Sequence, residues 1–152
     1  MNKRPSPSSK PVLIGNSFPL PLIRRAVTIR PWPLRRLKTL LASRPVVSFW
    51  GHENTRSAGE SILGVSLAPA AERPALALSP DRLPALDGAS FSSCYVLSPD
   101  YRPGFRPAPG VEVPPRQISG WSLLRIDWLP APSRPARSTP PTTPNPERES
   151  RR

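Results

Sequence analysis

The sequence has few of the residues on which covalent cross-links and metal centres depend. Among 152 residues there is one cysteine, Cys94, and one histidine, His52. A single cysteine forms no disulfide within the chain, and zinc sites need several Cys or His ligands, so we expect neither feature. This cysteine usage is typical of a reducing cytoplasm, where we expect the protein to reside.

Long apolar runs and common catalytic motifs are also missing. No run of 18 apolar residues occurs, so no membrane span is predicted. The basic N-terminus continues into prolines and serines, which is unlike a signal peptide. A P-loop, a GxGxxG fingerprint, a nucleophile elbow and a carboxylate cluster with metal spacing are all absent from the sequence. We therefore expect an activity that uses no cofactor.

Proline and positive charge, in contrast, are abundant. The chain has 25 prolines and a net charge of +12. Residues 1–10 and 130–152 have almost no large apolar side chains, so we expect disordered, basic, Pro-rich tails around a single domain, residues 11–129. The tails carry half of the net charge, which predicts non-specific contact with nucleic acid. The other half, in the body, indicates either a polyanionic ligand or a solvating surface.

Hydrophobic periodicity predicts a small α/β fold, with a mixed β-sheet flanked by short helices. The proline- and glycine-rich segments 79–90 and 98–110 are predicted to be turns and loops. We expect the fourth predicted strand to pair with the fifth. The predicted strands are 11–14, 24–30, 46–50, 75–78, 94–97 and 121–128, and the predicted helices are 34–42 and 56–63.

The only histidine lies where a predicted strand meets a predicted helix. The apolar run 46–50 ends at Gly51, His52 follows, and Asn54 and Thr55 are favoured N-caps for the next helix. A helix N-terminus attracts anions, and an imidazole beside it can protonate the leaving group of a phosphate ester. A histidine that only packs against or caps the turn has the same spacing, so both interpretations stay open.

Two other segments contain candidate binding residues. Asn16 and Ser17 follow the first strand, at a strand end where binding groups collect, although ordinary turn chemistry also explains them. In the segment 98–110, Arg102 and Arg106 can bind phosphate, and Tyr101 and Phe105 can stack on a base. The alternative is a surface loop whose aromatic side chains cover the core.

One histidine and several arginines are sufficient for one type of phosphodiester cleavage. The ribose 2′-OH of an RNA-type ester is an internal nucleophile, so attack is intramolecular. The protein must hold the 2′-oxygen in line with the leaving 5′-oxygen, neutralise the phosphate and protonate the leaving group. We expect His52 to supply that proton.

The segments resemble, in their order and spacing, the anti-CRISPR ring nucleases of archaeal viruses and phages and their relatives in bacterial type III CRISPR loci. The resemblance covers about residues 11–128 and includes an opening strand and turn, a corner before a helix and a late Arg-x-x-x-Gly loop. The matching residues are Asn16, Gly51, His52, Thr55, Arg106 and Gly110.

The resemblance implies a compact homodimer that binds cyclic tetra-adenylate across its two-fold axis and cleaves the ring without a metal, with His52 as general acid. Two positions depart from the family: Pro109 replaces a frequent Glu, and Pro19 replaces a small hydroxyl residue. Glu53 or Ser17 would then position the ribose. The expected substrate contacts are Asn16, Ser17, Gly51, Glu53, Asn54, Thr55, Arg102 and Arg106.

Two other functions remain open from the sequence. A protein of this composition can bind the cyclic messenger without turnover, or bind nucleic acid through its basic surface. It can also act as an interaction protein that presents its Pro-rich tail to other domains.

Overall fold

The computed structural model describes residues 10–67 and 76–133. Most of the two predicted tails, together with 68–75, lies outside these ranges. The strands are β1 (Val12–Gly15), β2 (Val27–Pro31), β3 (Val46–Phe49), β4 (Ala77–Leu78), β5 (Pro84–Leu86), β6 (Ala89–Ser90), β7 (Ser93–Tyr101) and β8 (Ile118–Trp128), and the helices are α1 (Leu34–Leu41) and α2 (Glu53–Leu63).

Five of the strands form a mixed sheet in the order β2-β8-β7-β1-β3. Strand β1 runs parallel to both of its neighbours, β3 and β7, whereas β8 runs antiparallel to β7 and to β2. The strands β4, β5 and β6 form a separate small antiparallel sheet. This arrangement confirms the predicted α/β class with a mixed sheet and short helices.

The central strand β1 lies between two hydrophobic layers because its side chains alternate between the faces of the sheet. Val12 and Ile14 belong to a cluster that includes Leu37 and Leu41 of α1 and residues of α2. Leu13 faces the opposite layer, which contains side chains of β7, β8 and the small sheet. Helices therefore cover one face of the main sheet, and the small sheet covers the other.

Both helices are short. Leucines at helical spacing give α1 one buried face, and α2 ends at Gly64, whose left-handed backbone (φ 69°) closes the helix as predicted. In the part of the chain that the structure describes, no helix is both long and apolar enough to cross a membrane.

The predicted pairing of 75–78 with 94–97 is wrong. Strand β4 pairs with β5 in the small sheet, and the neighbours of β7 are β1 and β8; Ala75 lies outside the described residues. The reason is burial. Residues 94–97 are buried on both faces, which requires a position inside the main sheet, between two other strands, whereas both residues of β4 are exposed.

Two other segments differ from the prediction. The segment 79–90, predicted as turns, contains β5 and β6, which are joined by Asp87 and Gly88 with positive φ, the geometry of a tight hairpin turn. Strand β7 continues to Tyr101 because it pairs with β8 along its whole length. The first residues of the predicted loop 98–110 are therefore part of a strand.

Candidate functional site

The carboxyl ends of the parallel strands β1, β3 and β7 meet at one edge of the main sheet, where ligand sites of α/β proteins usually form. Asn16 and Ser17 follow β1, and His52 follows β3. The Oδ1 atom of Asn16 accepts a hydrogen bond from the Gly51 N–H (3.3 Å). The structure therefore brings the first predicted segment to the histidine, with Ser17 exposed beside it.

The turn from β3 into α2, here called the corner (residues 50–55), is closed by a buried hydrogen-bond chain. The Trp50 Nε1–H donates to Oγ1 of Thr55 (2.9 Å), and that hydroxyl donates to the carbonyl oxygen of His52 (3.1 Å). Both Trp50 and Thr55 are buried. The sequence folds this way because an indole N–H that leaves water needs an acceptor, and Thr55 is the acceptor within reach.

Replacing Thr55 with valine keeps the shape of the side chain but removes this acceptor. The indole N–H of Trp50 would remain buried without a partner, which costs about 1–3 kcal/mol of the free energy of unfolding. Urea denaturation of the variant measures this loss. Thr39→Val, an exposed change on α1, is the control and should change stability by less than about 1 kcal/mol. Equal stability of the two variants would contradict the assigned hydrogen-bond chain.

The helix α2 begins at Glu53, earlier than predicted, and His52 occupies the N-cap position with an extended backbone (φ −135°, ψ 138°). Asn54 and Thr55, predicted to precede the helix as caps, instead lie inside its first turn. An acidic residue at the first position favours this earlier start because the N-terminal end of the helix dipole is positive. His52 makes no side-chain capping bond.

The imidazole of His52 lies at the surface beside a carboxylate. Its side chain is 30% exposed, and its Nδ1 atom is 3.9 Å from Oε1 of Glu112. At this distance the two groups interact electrostatically rather than through a short hydrogen bond. The ring is therefore accessible to a ligand and to solvent, as a group that donates a proton to a substrate must be.

Glu112 is the residue of the site that sequence reasoning missed. Its carboxylate accepts the Glu53 N–H (3.2 Å), so it caps α2. The amide side chain of Asn54 also donates to the carbonyl oxygen of Val113. Both contacts come from the long loop 102–117 between β7 and β8. A helix N-terminus predicts that some anion will lie there, but the irregular loop contains no periodic pattern that identifies which one.

Of the three backbone N–H groups predicted to bind phosphate, those of Gly51, Asn54 and Thr55, two are already hydrogen-bonded within the protein. The Gly51 N–H donates to Asn16, and the Thr55 N–H to Oδ1 of Asn54 (2.7 Å); the neighbouring Glu53 N–H donates to Glu112. A phosphate that bonds to any of the N–H groups of Gly51, Glu53 or Thr55 must replace its present acceptor. The exposed one among these acceptors is Glu112, whose side chain is 53% accessible.

No hydrogen bond or ion pair among the described residues joins the two predicted arginines to the corner. Arg102 follows β7, and its Nε–H donates to the carbonyl oxygen of Arg116 (2.6 Å). Arg106 is exposed. The aromatic rings of Tyr101 and Phe105 pack against each other, with centroids 5.5 Å apart. The hydrogen bonds from the loop to the corner come instead from Glu112 and Val113, beyond the predicted segment 98–110.

Carboxylates outnumber cations around the corner. Arg56 lies between Glu53 and Glu60 and donates to both (Nε–Oε2 2.9 Å and Nη1–Oε1 2.6 Å). The hydrogen bond from Arg56 lowers the pKa of Glu53, so that carboxyl is ionised at neutral pH. With Glu112, which accepts the Glu53 N–H, the described residues at the start of α2 include three carboxylates and one guanidinium. Binding of a phosphate at this position therefore requires positive charge from another part of the protein or from a cation in solution.

No metal centre is visible in the described ranges 10–67 and 76–133, where no group of three or more His, Cys, Asp or Glu residues converges. A search of protein-family models and of curated proteins finds no match to the chain. The geometry of the corner and the residues that carry the resemblance are therefore the basis on which a function can be proposed.

Proposed function

We propose that the protein is a metal-independent nuclease that binds cyclic tetra-adenylate and opens the ring, with His52 as general acid. One observation carries the proposal: a partly exposed imidazole lies at the start of α2, at the edge where the parallel strands end, beside Asn16. The family resemblance supplies the substrate. The cytoplasm, where such a messenger is found, is the proposed location, and a homodimer is the proposed assembly.

The proposed reaction is an intramolecular transesterification at one phosphate of the ring. The 2′-oxygen of one adenylate forms a bond to phosphorus while the bond from phosphorus to the 5′-oxygen breaks. The protonated His52 gives its proton to the departing 5′-oxygen, and the proton of the 2′-OH passes to solvent. The product is a linear tetra-adenylate with a 2′,3′-cyclic phosphate at one end and a 5′-OH at the other.

In this proposal the scissile phosphate binds at the N-terminus of α2, where it replaces the carboxylate of Glu112. The exchange is feasible because Glu112 is exposed and can return to water. The Glu53 N–H then donates to the phosphate, which the helix dipole also favours. Arg102 and Arg106 lie on the same loop as Glu112 and are exposed. Movement of this loop, or a second subunit, would bring their charges to the ring.

Incubation of the purified protein with cyclic tetra-adenylate in excess EDTA tests the proposal. Chromatography of the products should give the linear form with a cyclic phosphate end. Cleavage that proceeds only after EDTA is replaced by a divalent cation would contradict the metal-independent mechanism. Recovery of intact ring in every condition would contradict the nuclease assignment.

A second candidate function is binding of the cyclic messenger without turnover. The carboxylate at the N-terminus of α2 and the local excess of negative charge favour it, because both oppose a phosphate next to His52. Equilibrium binding distinguishes this function, since a sink binds the ring with high affinity and returns it intact. A general nucleic-acid binder would instead prefer polynucleotides and lose affinity steeply with salt.

Replacing Glu112 with glutamine should change binding and stability in opposite directions. Removing the competing charge should tighten cyclic tetra-adenylate binding by roughly 2–5-fold. It should also lower the free energy of unfolding by about 0.3–1 kcal/mol, the usual contribution of an anion at a helix N-terminus. Asp81→Asn removes one exposed negative charge in another part of the fold and is the control. Equal binding by both variants would show that Glu112 does not occupy the phosphate position.

A further inference from the structure

A cavity lies at the other edge of the main sheet from the corner, where the parallel strands begin. Its volume is about 480 Å³, within the range of small-molecule sites. Val12 at the start of β1 lines it, whereas Asn16 beyond the end of β1 belongs to the corner. The four residues of β1 separate the two places by roughly 10 Å of strand. The cavity is therefore distinct from the site around His52.

The described residues that line this cavity include both cationic and apolar side chains. Lys10, Arg44 and Arg125 supply the positive charge, and none of the described lining residues is a carboxylate. Leu40 and Phe91 contribute apolar surface. A ligand that satisfies both parts has a flat apolar body and a negatively charged group.

Arg125 is held rigidly at the edge of the cavity. Its Nε–H donates to Oδ1 of Asp127 (2.8 Å), and its guanidinium lies 4.6 Å from the ring centroid of Trp32 and 5.6 Å from that of Tyr95. Burial tends to raise the pKa of Asp127, but hydrogen bonds from Ser93 and Arg125 hold it below its usual value, so this carboxylate stays charged. A guanidinium fixed in this way loses little conformational entropy when it binds an anion.

Asp127 does not neutralise the surrounding positive charge. It pairs with both Arg125 and Arg30 (3.3 Å from Nη2). A third arginine, Arg36, lies over the same Trp32 ring, 5.6 Å from its centroid. Asp127 is thus the one carboxylate paired with this group of arginines, Arg30, Arg36 and Arg125, among the described residues. The group continues from the cavity onto the neighbouring surface. This surplus attracts anions to the cavity entrance.

Arg44 approaches the cavity from the segment that leads into β3. Its Nε–H donates to the carbonyl oxygen of Lys10 (2.6 Å), which fixes the plane of the guanidinium. The terminal nitrogens carry the remaining donors, in the fork geometry that matches phosphate. Arg44 and Arg125 therefore present two planar cations to one cavity.

We propose that this cavity binds a nucleotide, with the base against apolar lining residues such as Leu40 and Phe91 and the phosphate between Arg44 and Arg125. A nucleoside monophosphate has both an apolar ring system and a negatively charged group, and it is small enough for the volume. This site is independent of the ring-cleaving chemistry proposed for His52, and it can be occupied while that site is empty.

Titration calorimetry with adenosine monophosphate tests this site. Arg44→Gln should weaken binding roughly tenfold, the expected loss for one charge-assisted hydrogen bond. Arg35→Gln, an exposed arginine on α1 that does not line the cavity, should bind as the unaltered protein does. Arg44→Lys retains the charge without the fork and should fall between the two, which keeps the test valid if Arg44→Gln fails to fold.

Three further titrations separate this site from its alternatives. Inorganic phosphate and adenosine should each bind at least tenfold more weakly than the nucleotide, and equal binding by phosphate would reduce the cavity to a simple anion site. His52→Ala should leave the affinity unchanged, and a loss in that variant would assign the nucleotide to the corner instead. No binding by the unaltered protein, or equal binding by Arg44→Gln, would overturn the proposal.

Discussion

Replacing His52 with alanine is expected to slow cleavage of cyclic tetra-adenylate by roughly 10²–10⁴-fold, the usual contribution of a general acid. The physical reason is that the departing 5′-oxygen would leave as an alkoxide in the absence of a proton donor. Affinity for the ring should change little, because the imidazole acts on the leaving group. Single-turnover rates at saturating protein measure the loss in the chemical step alone.

A substrate with a better leaving group gives this experiment a readout that a structural defect cannot imitate. If sulfur replaces the 5′-oxygen, the departing thiolate needs no proton, so His52→Ala should cleave this analogue at nearly the rate of the unaltered protein. Ser57→Ala, an exposed change on the same helix, is the control. Undiminished cleavage of the natural ring by His52→Ala would remove the histidine from the mechanism.

Replacing Leu13 with alanine should lower the free energy of unfolding by about 2–5 kcal/mol, the largest stability effect expected here. Leu13 is fully buried (0% exposed) in the central strand and belongs to the cluster facing the small sheet. Truncation leaves a cavity that the surrounding strands cannot close. Because small domains are stable by only about 5–15 kcal/mol, the change removes a large share of the total.

Urea denaturation followed by circular dichroism measures this effect. The control is Ile29→Ala in the edge strand β2, where the side chain is 51% exposed; its cost should stay below about 1 kcal/mol. Leu13→Met, which nearly conserves volume, should cost less than about 1.5 kcal/mol. Equal urea midpoints for Leu13→Ala and Ile29→Ala would contradict the central position of β1.

The elements that sequence reasoning located correctly are those with a local signal. The leucine spacing of α1, the glycine that ends α2 and the apolar run of β3 all depend on neighbouring residues. These features were predictable because each depends on residues that are close in the sequence.

The features that the sequence did not reveal depend on distant partners. The pairing of β7 with β8 extends both strands beyond their apolar segments, and no local pattern encodes that length. The capping role of Glu112 needs a loop to return to α2 across 59 positions of sequence. The arginines of that loop were predicted to bind phosphate because of their charge. The sequence of an irregular loop does not specify the direction in which its side chains extend.

The tight packing of Gly15 limits how the binding edge can vary. A Cβ atom built at this position would lie 2.1 Å from the ring of Phe49, so any larger residue forces that aromatic ring out of the core. Gly15 immediately precedes Asn16, and Phe49 lies three positions before His52. Substitutions that change the packing of Gly15 against Phe49 are therefore expected to displace Asn16 and His52 at the surface.

The order of strands in the main sheet has a consequence for biosynthesis. Strand β1 finds one partner, β3, early in synthesis, but Ile14 also pairs with Tyr95, and Val27 of β2 pairs with Trp128, so β1 and β2 each need a partner that is made late. Until the ribosome has released β7 and β8, the apolar side chains of β1 have no complete interior to enter. Nascent chains of this topology depend on slow association between distant segments. They expose hydrophobic surface until it is complete, and chaperones protect such surface from aggregation.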